Sequence, residues 1–261
     1  EGIRQTIREA GIVGLGGAAF PTHVKLSPPK EKKIDIVIIN GCECEPYLTC
    51  DHRQMLEYPD ELLDGLRLIM KIVGAKAGFI GIETNKMDCV TSLAKLVEED
   101  PAINVEAVQT KYPQGSEKQL IEALTGRQVP SGGLPMDVGC LVQNVGTAIA
   151  ISRAVRKGEP LIERVITVSG EGVREPKNLK VRIGTPIGHL IQEAGGIIVN
   201  RGKVIVGGPM TGVAQFSFEA PVVKGTSGIV VLSFDDDENA PHSPCIRCSR
   251  CIEVCPARLM P

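Results

Sequence analysis

Four of the nine cysteines, Cys245, Cys248, Cys251 and Cys255, fall at C-x-x-C-x-x-C-x-x-x-C-P spacing. Thiolates so spaced wrap a [4Fe–4S] cube, and in such a run the fourth cysteine ligates the second of two clusters. A zinc ribbon would instead pair two C-x-x-C knuckles across a longer gap. Only six residues follow Cys255. The run therefore predicts a chain that continues, with further ligands beyond Pro261. An odd number of cysteines excludes a fully paired disulfide framework, and clustered thiols suit redox or metal chemistry in a reducing compartment.

Two further stretches carry chemistry. Gly14-Leu15-Gly16-Gly17-Ala18-Ala19 matches G-x-G-x-x-A, but a helix rather than a strand precedes it, so the usual dinucleotide reading fails on context. Glycines still let backbone approach a flat ring or a phosphate and can align N–H donors into an anion-binding nest. Lys25, just downstream, could neutralise a phosphate; the plainer reading is a surface loop. In "NGCECEPYLTCDHR", Cys42, Cys44 and Cys50 invite a metal reading, but no second cysteine pair or histidine cluster completes a set. His52 alone reads as a solvated or core histidine. Glu43 and Glu45 could accept hydrogen bonds from ribose or nicotinamide groups, or sit on a solvated turn.

A cluster takes one electron at a time, whereas NADH delivers two as hydride. Flavin converts between the two modes. A glycine loop, a lysine and an acidic turn upstream of a cluster motif thus suggest a flavin beside the cluster.

The elements that must position these groups follow from the hydrophobic pattern. "IRQTIREAG" predicts a helix stopped by Gly11, and the β-branched run at 34–40 predicts a buried strand. "PDELLDGLRLIMKIVGA", "AGFIGIE", "KMDCVTSLAKLVEED" and "INVEAVQT" continue as helix, strand, helix and strand. This alternation argues for parallel βαβ units with right-handed crossovers. Ligands in such sheets sit beyond the carboxyl ends of the strands, where "NGCECEP" and "KYPQGSE" should share one edge. After the helical "GTAIAISRAVRKG", two strands around a turn, a helix opening at Thr185-Pro186 and the strands "KVIVGG" and "GIVVLS" outline a β-grasp-like domain. His189 is expected to pack inside that helix, and Met136 and Met210 to fill loops. "FDDDENAPHSP" reads as a solvated linker.

The 261 residues suffice for about two domains, and a formal charge of −2 gives no general attraction to nucleic acid or anionic lipid. No apolar run approaches the roughly 18 residues of a membrane span, and no signal peptide is evident. Tryptophan is absent, so the core must be aliphatic. A cytoplasmic protein, docked to something else, is expected.

"GLGGAAFPTHVK", "NGCECEP", "YPQGSEKQLI", "VPSGGLPMDVG", "LVQNVGTA", "GGPMTG", "VVKGTSG" and "CIRCSRCIEVCPARLMP", in this order, resemble the C subunit of the Rnf complex, the ion-translocating ferredoxin:NAD oxidoreductase. That family is similar to the NADH-oxidising flavin subunit of respiratory complex I. The resemblance implies an α/β fold: a Rossmann-like FMN/NAD-binding domain (1–160), a β-grasp domain of the soluble-ligand-binding type (161–234), then a linker and truncated iron–sulfur domain (235–261). It implies FMN, two [4Fe–4S] clusters in the full protein, and NAD(H) as substrate. Gly14, Gly16, Gly17, Ala18 and Phe20 would lie along the flavin, with Lys25 near its phosphate or ring edge. Asn40 and Glu43 would hydrogen-bond FMN, and Glu45 would face the nicotinamide nucleotide. Tyr112, Gly115 and Glu117 would form the matching nucleotide loop, and Gln143, Asn144 and Thr147 would hold the phosphate at a helix start.

Leu15, Ala19, Cys42 and Ser116 depart from the complex I pattern, as do Leu26 and Ser27 where aromatic residues are expected; these changes thin the nicotinamide stacking site. The partners implied are membrane and ferredoxin-like subunits of the same complex, with ferredoxin reached indirectly. The place implied is the cytoplasmic face of the membrane, with no transmembrane segment of its own. The β-grasp domain is expected to act as a spacer and docking element. Two other readings are a cobalamin reductase of propanediol-utilising microcompartments, which shares the architecture, and a binding or assembly module with a degenerate flavin site.

Overall fold

The computed structural model describes residues 2–233, 244–255 and 259–260; most of the expected linker lies outside them. Helices α1 (Gly2–Glu9) and α2 (Thr22–Lys25) flank the glycine loop. Strand β1 (Ile36–Gly41) follows, then α3 (Cys50–Glu57), α4 (Pro59–Val73), β2 (Ala77–Glu83), α5 (Met87–Leu96), β3 (Ile103–Val108), α6 (Glu117–Thr125), β4 (Cys140–Asn144) and α7 (Val145–Lys157). Val37, Ile38 and Ile39 are all fully buried, because β1 is central and both faces of the sheet are covered. Val37 and Ile39 join the aliphatic core beneath α1, α4, α5 and α7, whereas Ile38 joins a smaller core with Leu120 and Ile121 of α6.

The sheet is parallel throughout, in the order β3-β2-β1-β4. From β1 the chain winds outward through β2 to β3, then returns by way of α6, on the opposite face, to place β4 on the other side of β1. That reversal creates a crevice between the ends of β1 and β4, the place where open α/β sheets bind ligands. Asn40 and Asn144 are paired across it.

The second domain holds β5 (Glu163–Ser169), β6 (Lys177–Arg182), α8 (Ile187–Glu193), β7 (Gly202–Val206), β8 (Val213–Gln215) and β9 (Gly228–Ser233). Its sheet runs β6-β5-β9-β7-β8, with β5 and β9 parallel and the other pairs antiparallel. Ile187, Leu190 and Ile191 of α8 pack on it, as the β-grasp expectation requires. His189 departs from expectation: it sits on the exposed face, 4.0 Å from Glu193, since the buried stripe of so short a helix is already filled. The short α9 (Arg250–Val254) lies within the cysteine run.

Candidate functional site

Backbone sterics bring the carboxyl-edge loops together. Asn40 Nδ2 donates to Gly115 O at 2.8 Å, and its Oδ1 accepts Cys42 N at 3.0 Å. A Cβ on Gly115 would collide with the Cys42 carbonyl, so only glycine lets the two turns touch. The edge shared by "NGCECEP" and "KYPQGSE" is thus formed as the strand order predicts. Asn144, last in β4, caps α7: its Oδ1 accepts Gly146 N at 2.9 Å and Thr147 N at 3.4 Å. The helix-start donors are therefore held by the chain itself.

A cleft of about 790 Å³ opens here, within the roughly 300–1,000 Å³ of small-molecule sites. Of the residues singled out from sequence, Gly16, Gly17, Ala18, Asn40, Glu43, Glu45, Gly115 and Asn144 line it. Gly14, Phe20, Lys25, Tyr112, Glu117, Gln143 and Thr147 do not reach its wall. Instead Thr147 Oγ1 holds the glycine loop, accepting Leu15 N at 2.9 Å. Lys25 pairs with Glu117 at 2.5 Å. Phe20 and Tyr112 are exposed, and the Gln143 side-chain nitrogen is buried without a partner among the described residues.

Asp51, on the first turn of α3, carried no signal by which sequence reasoning could have found it. It lines the cleft, donates its backbone N–H to Glu43 Oε1 at 3.0 Å, and accepts Asn144 Nδ2 on its own carboxylate at 2.6 Å. Enclosure by protein and the neighbouring Glu43 carboxylate push its carboxyl up to about 7, against the pull of Asn144, Arg164 and Lys86. Burial also pushes the Cys42 thiol to about 12 and raises those of Cys44 and Cys50. None of the three sulfurs belongs to a converging set of ligand atoms among the described residues, which disfavours the metal reading. Among the described residues the ligand atoms that do converge belong to His52, Asp88 and Cys89, where His52 Nε2 and the Asp88 carboxylate form a 2.9 Å pair.

The β-grasp domain builds one wall of the cleft through 206–207, 211–213 and 223–227, so it is more than a spacer. Arg164 of β5, buried, donates to Leu15 O at 3.2 Å and to Lys224 O. Lys224 Nζ donates to Gly11 O. Ser169 Oγ donates to Tyr47 O at 2.7 Å, and Thr49 N to Thr167 Oγ1 at 3.0 Å. Glu45 is latched: Oε2 accepts Met210 N at 3.0 Å and Oε1 accepts the Thr211 hydroxyl. Met210 thus serves through its backbone, with its side chain exposed, whereas Met136 is partly buried against the core. Thr211→Val should remove one charge-assisted bond and raise amide exchange over 208–212 about tenfold. Unchanged protection there would show that the Thr211 hydroxyl adds nothing to the latch.

The chemistry of the donor set fits a flavin nucleotide. The N–H groups of Gly16, Gly17 and Ala18 have no acceptor among the described residues, and Gly17, at φ +113, would meet nothing within 4 Å if given a Cβ. In the cysteine run, Arg247 N and Leu259 N each donate to a cysteine sulfur, Cys245 and Cys255, at 3.4 Å. Cys245, Cys248 and Cys251 are exposed and Cys255 half-buried.

Comparison with known proteins agrees with this geometry. The Nuo51 FMN-binding domain matches residues 7–153, and the SLBB domain residues 165–214. Among curated relatives, the C subunit of the proton-translocating ferredoxin:NAD(+) oxidoreductase complex of Clostridium ljungdahlii is 54% identical over 98% of this chain and 56% of that protein. The Na(+)-translocating counterpart of Acetobacterium woodii is 49% identical over all of this chain and 59% of its own length. The corresponding component of the ion-translocating oxidoreductase complex of Rhodobacter capsulatus is 43% identical over all of this chain and 50% of its own. The chain thus spans little more than half the length of these relatives. An NAD+-reducing [NiFe]-hydrogenase shares the fold at TM-score 0.72 and 24% identity, over 88% of this chain and 46% of the hydrogenase chain. The resemblance carried by the sequence motifs holds along the whole chain, and with more than half of its residues matched, the chain belongs to the Nuo51 FMN-binding domain family.

Proposed function

We propose that this chain is the flavin-bearing part of an electron-transfer subunit in a membrane-associated ferredoxin:NAD oxidoreductase. It exchanges hydride between NAD(H) and FMN and passes single electrons to [4Fe–4S] clusters, at the cytoplasmic face of the membrane. Its partners in this reading are membrane subunits and ferredoxin-like subunits of the same complex, as the names of the relatives suggest; no helix among the described residues is long and apolar enough to cross a membrane. The relatives' names support this reading over a cobalamin reductase.

The observation that carries it is the cleft at the sheet's reversal point, lined by the Gly16-Gly17-Ala18 loop, whose N–H groups lack acceptors among the described residues, and by Asn40, Glu43 and Asn144. Bound FMN would supply the conversion between two-electron and one-electron transfer. The residues' own tasks are to hold and orient. Gly16, Gly17 and Ala18 present backbone to the ring or phosphate, Asn40 and Asn144 fix the loops, and Glu45 with Gly115 shapes the nucleotide side. Cys245, Cys248, Cys251 and Cys255 would hold iron, with N–H donors already aimed at two of the sulfurs.

Full-length protein reconstituted anaerobically should carry near-equimolar FMN, with iron and sulfide in the amounts two cubes require. Asn144→Ala should lose the α7 cap, about 1 kcal/mol, free Asp51 of its partner, and retain several-fold less flavin. A colourless full-length protein that takes up neither FMN nor iron would overturn the proposal and favour a binding or assembly module.

A further inference from the structure

A flavin or dinucleotide brings a phosphoryl oxyanion into this cleft, and the charged residues lining the cleft are Glu43, Glu45, Asp51 and Lys224. Three of the four are acids. Lys25, placed by sequence near the phosphate, is tied to Glu117 and does not line the wall. The α7 start offers little, because Asn144 already accepts from Gly146 and Thr147. Charge compensation must come from elsewhere.

Lys224 is the sole lysine or arginine on the cleft wall among the described residues. It is half-buried, and its ammonium contacts a neutral carbonyl, Gly11 O, with no carboxylate partner among the described residues. Its backbone is pinned by the buried Arg164, which donates to Lys224 O and Leu15 O together. Gly225 packs so near Gly17 that an added Cβ would lie 2.9 Å from Gly17 O. The loop 224–227 therefore packs on the glycine loop through Gly225 and brings an ammonium without a carboxylate partner to the cleft that Gly16, Gly17 and Ala18 also line, and the N–H groups of those three residues lack acceptors among the described residues.

We propose that Lys224, contributed by the β-grasp domain, is the cationic partner of a phosphoryl group seated on the Gly16-Gly17-Ala18 backbone. The phosphoryl group belongs either to FMN or to the pyrophosphate of a nicotinamide dinucleotide. An ammonium and loop N–H donors lining one cleft together suit such an anion, for which Lys224 Nζ would exchange its bond to Gly11 O. The β-grasp domain then contributes a ligand-binding residue as well as a wall.

The test measures binding of FMN, riboflavin and ADP-ribose to the full-length, cluster-loaded protein and its Lys224→Gln, Lys224→Arg and Lys25→Gln variants. Lys224→Gln should weaken FMN by about 10- to 100-fold and leave riboflavin, which lacks the phosphate, unchanged; Lys224→Arg should restore most of the loss. A loss confined to ADP-ribose would assign the same role toward the dinucleotide. Equal losses for FMN and riboflavin would mean that Lys224 only braces the loop through Gly11, and would overturn the assignment. So would unaltered binding in Lys224→Gln, or a loss that appears in Lys25→Gln instead. The inference rests on the flavin-nucleotide reading of the cleft. Wild-type protein that binds none of the three ligands removes both, whereas wild-type binding of FMN with an indifferent Lys224→Gln removes this one alone.

Discussion

Gly65→Ala should cost the folded chain about 3 kcal/mol and lower its melting temperature by roughly 6–12 °C. Helices α4 and α7 cross where Gly65 faces Ala148. A Cβ there would lie 3.1 Å from the Ala148 Cα, 2.6 Å from its carbonyl carbon and nearer still to its oxygen. All three are backbone atoms, so no side chain can swing aside. The helices would have to separate, and Leu62, Leu66, Ala148 and Ile151 would lose contact in the core between them. Alanine's better helix propensity returns at most about 1 kcal/mol. Because Asn144 caps α7 and lines the cleft, the displacement should also reach the cleft and lower flavin affinity. Denaturant unfolding of wild type and variant decides it: an unchanged midpoint would show that the crossing has room for a methyl group.

Asp51→Asn should stabilise the protein above pH 7 by about 2 kcal/mol. Asp51 has a folded-state carboxyl pushed up to about 7 by its enclosure and by Glu43, against an ordinary value near 4 in the unfolded chain. Between these values the folded chain holds a proton that the unfolded chain has shed. Stability from this group is thus full below about pH 4, falls as pH rises toward 7, and then levels off. The facing groups are Glu43, Cys50, Lys86, Arg164, Asn144 and Gln54. The full linkage value would be larger, but part of the side chain meets the water of the cleft, and roughly half of it is expected. Asparagine keeps an acceptor for Asn144 Nδ2 and carries no charge, so the decline between pH 4 and 7 should flatten. Parallel slopes for wild type and variant across that window would contradict the assignment.

Much of the first domain was legible because its strands are bounded runs of β-branched residues. "IDIVIIN" and "AGFIGIE" read as strands, being short apolar runs with Gly or Asn at their ends, and their carboxyl ends marked the edge on which the cleft opens. Strand β4 escaped, because "CLVQN" is short, wholly buried except at its end, and carries Gln143 where a period-two reading wants an apolar residue. With β4 missing, the reversal of strand order beside β1 was invisible, and so was Asp51 opposite Asn144. The glycine loop and acidic turn could be read because their residue types are unusual. Their partners could not, since Glu45 to Thr211 and Arg164 to Leu15 are contacts across more than a hundred residues. Lys25 pairing with Glu117 is of the same kind: local sequence shows a cation, and only the fold shows what neutralises it.

The struts that run from Arg164 and Lys224 to the glycine loop bear on how such proteins can be rearranged. Leu161 N also donates to Ala10 O at 2.8 Å, across the border that the family resemblance implies. A recombinant fragment ending near residue 160 would leave Leu15 O and Gly11 O facing solvent and the loop without its frame. Chimeras that exchange the C-terminal module between relatives should therefore work only when the donor module brings along matching side chains for its host.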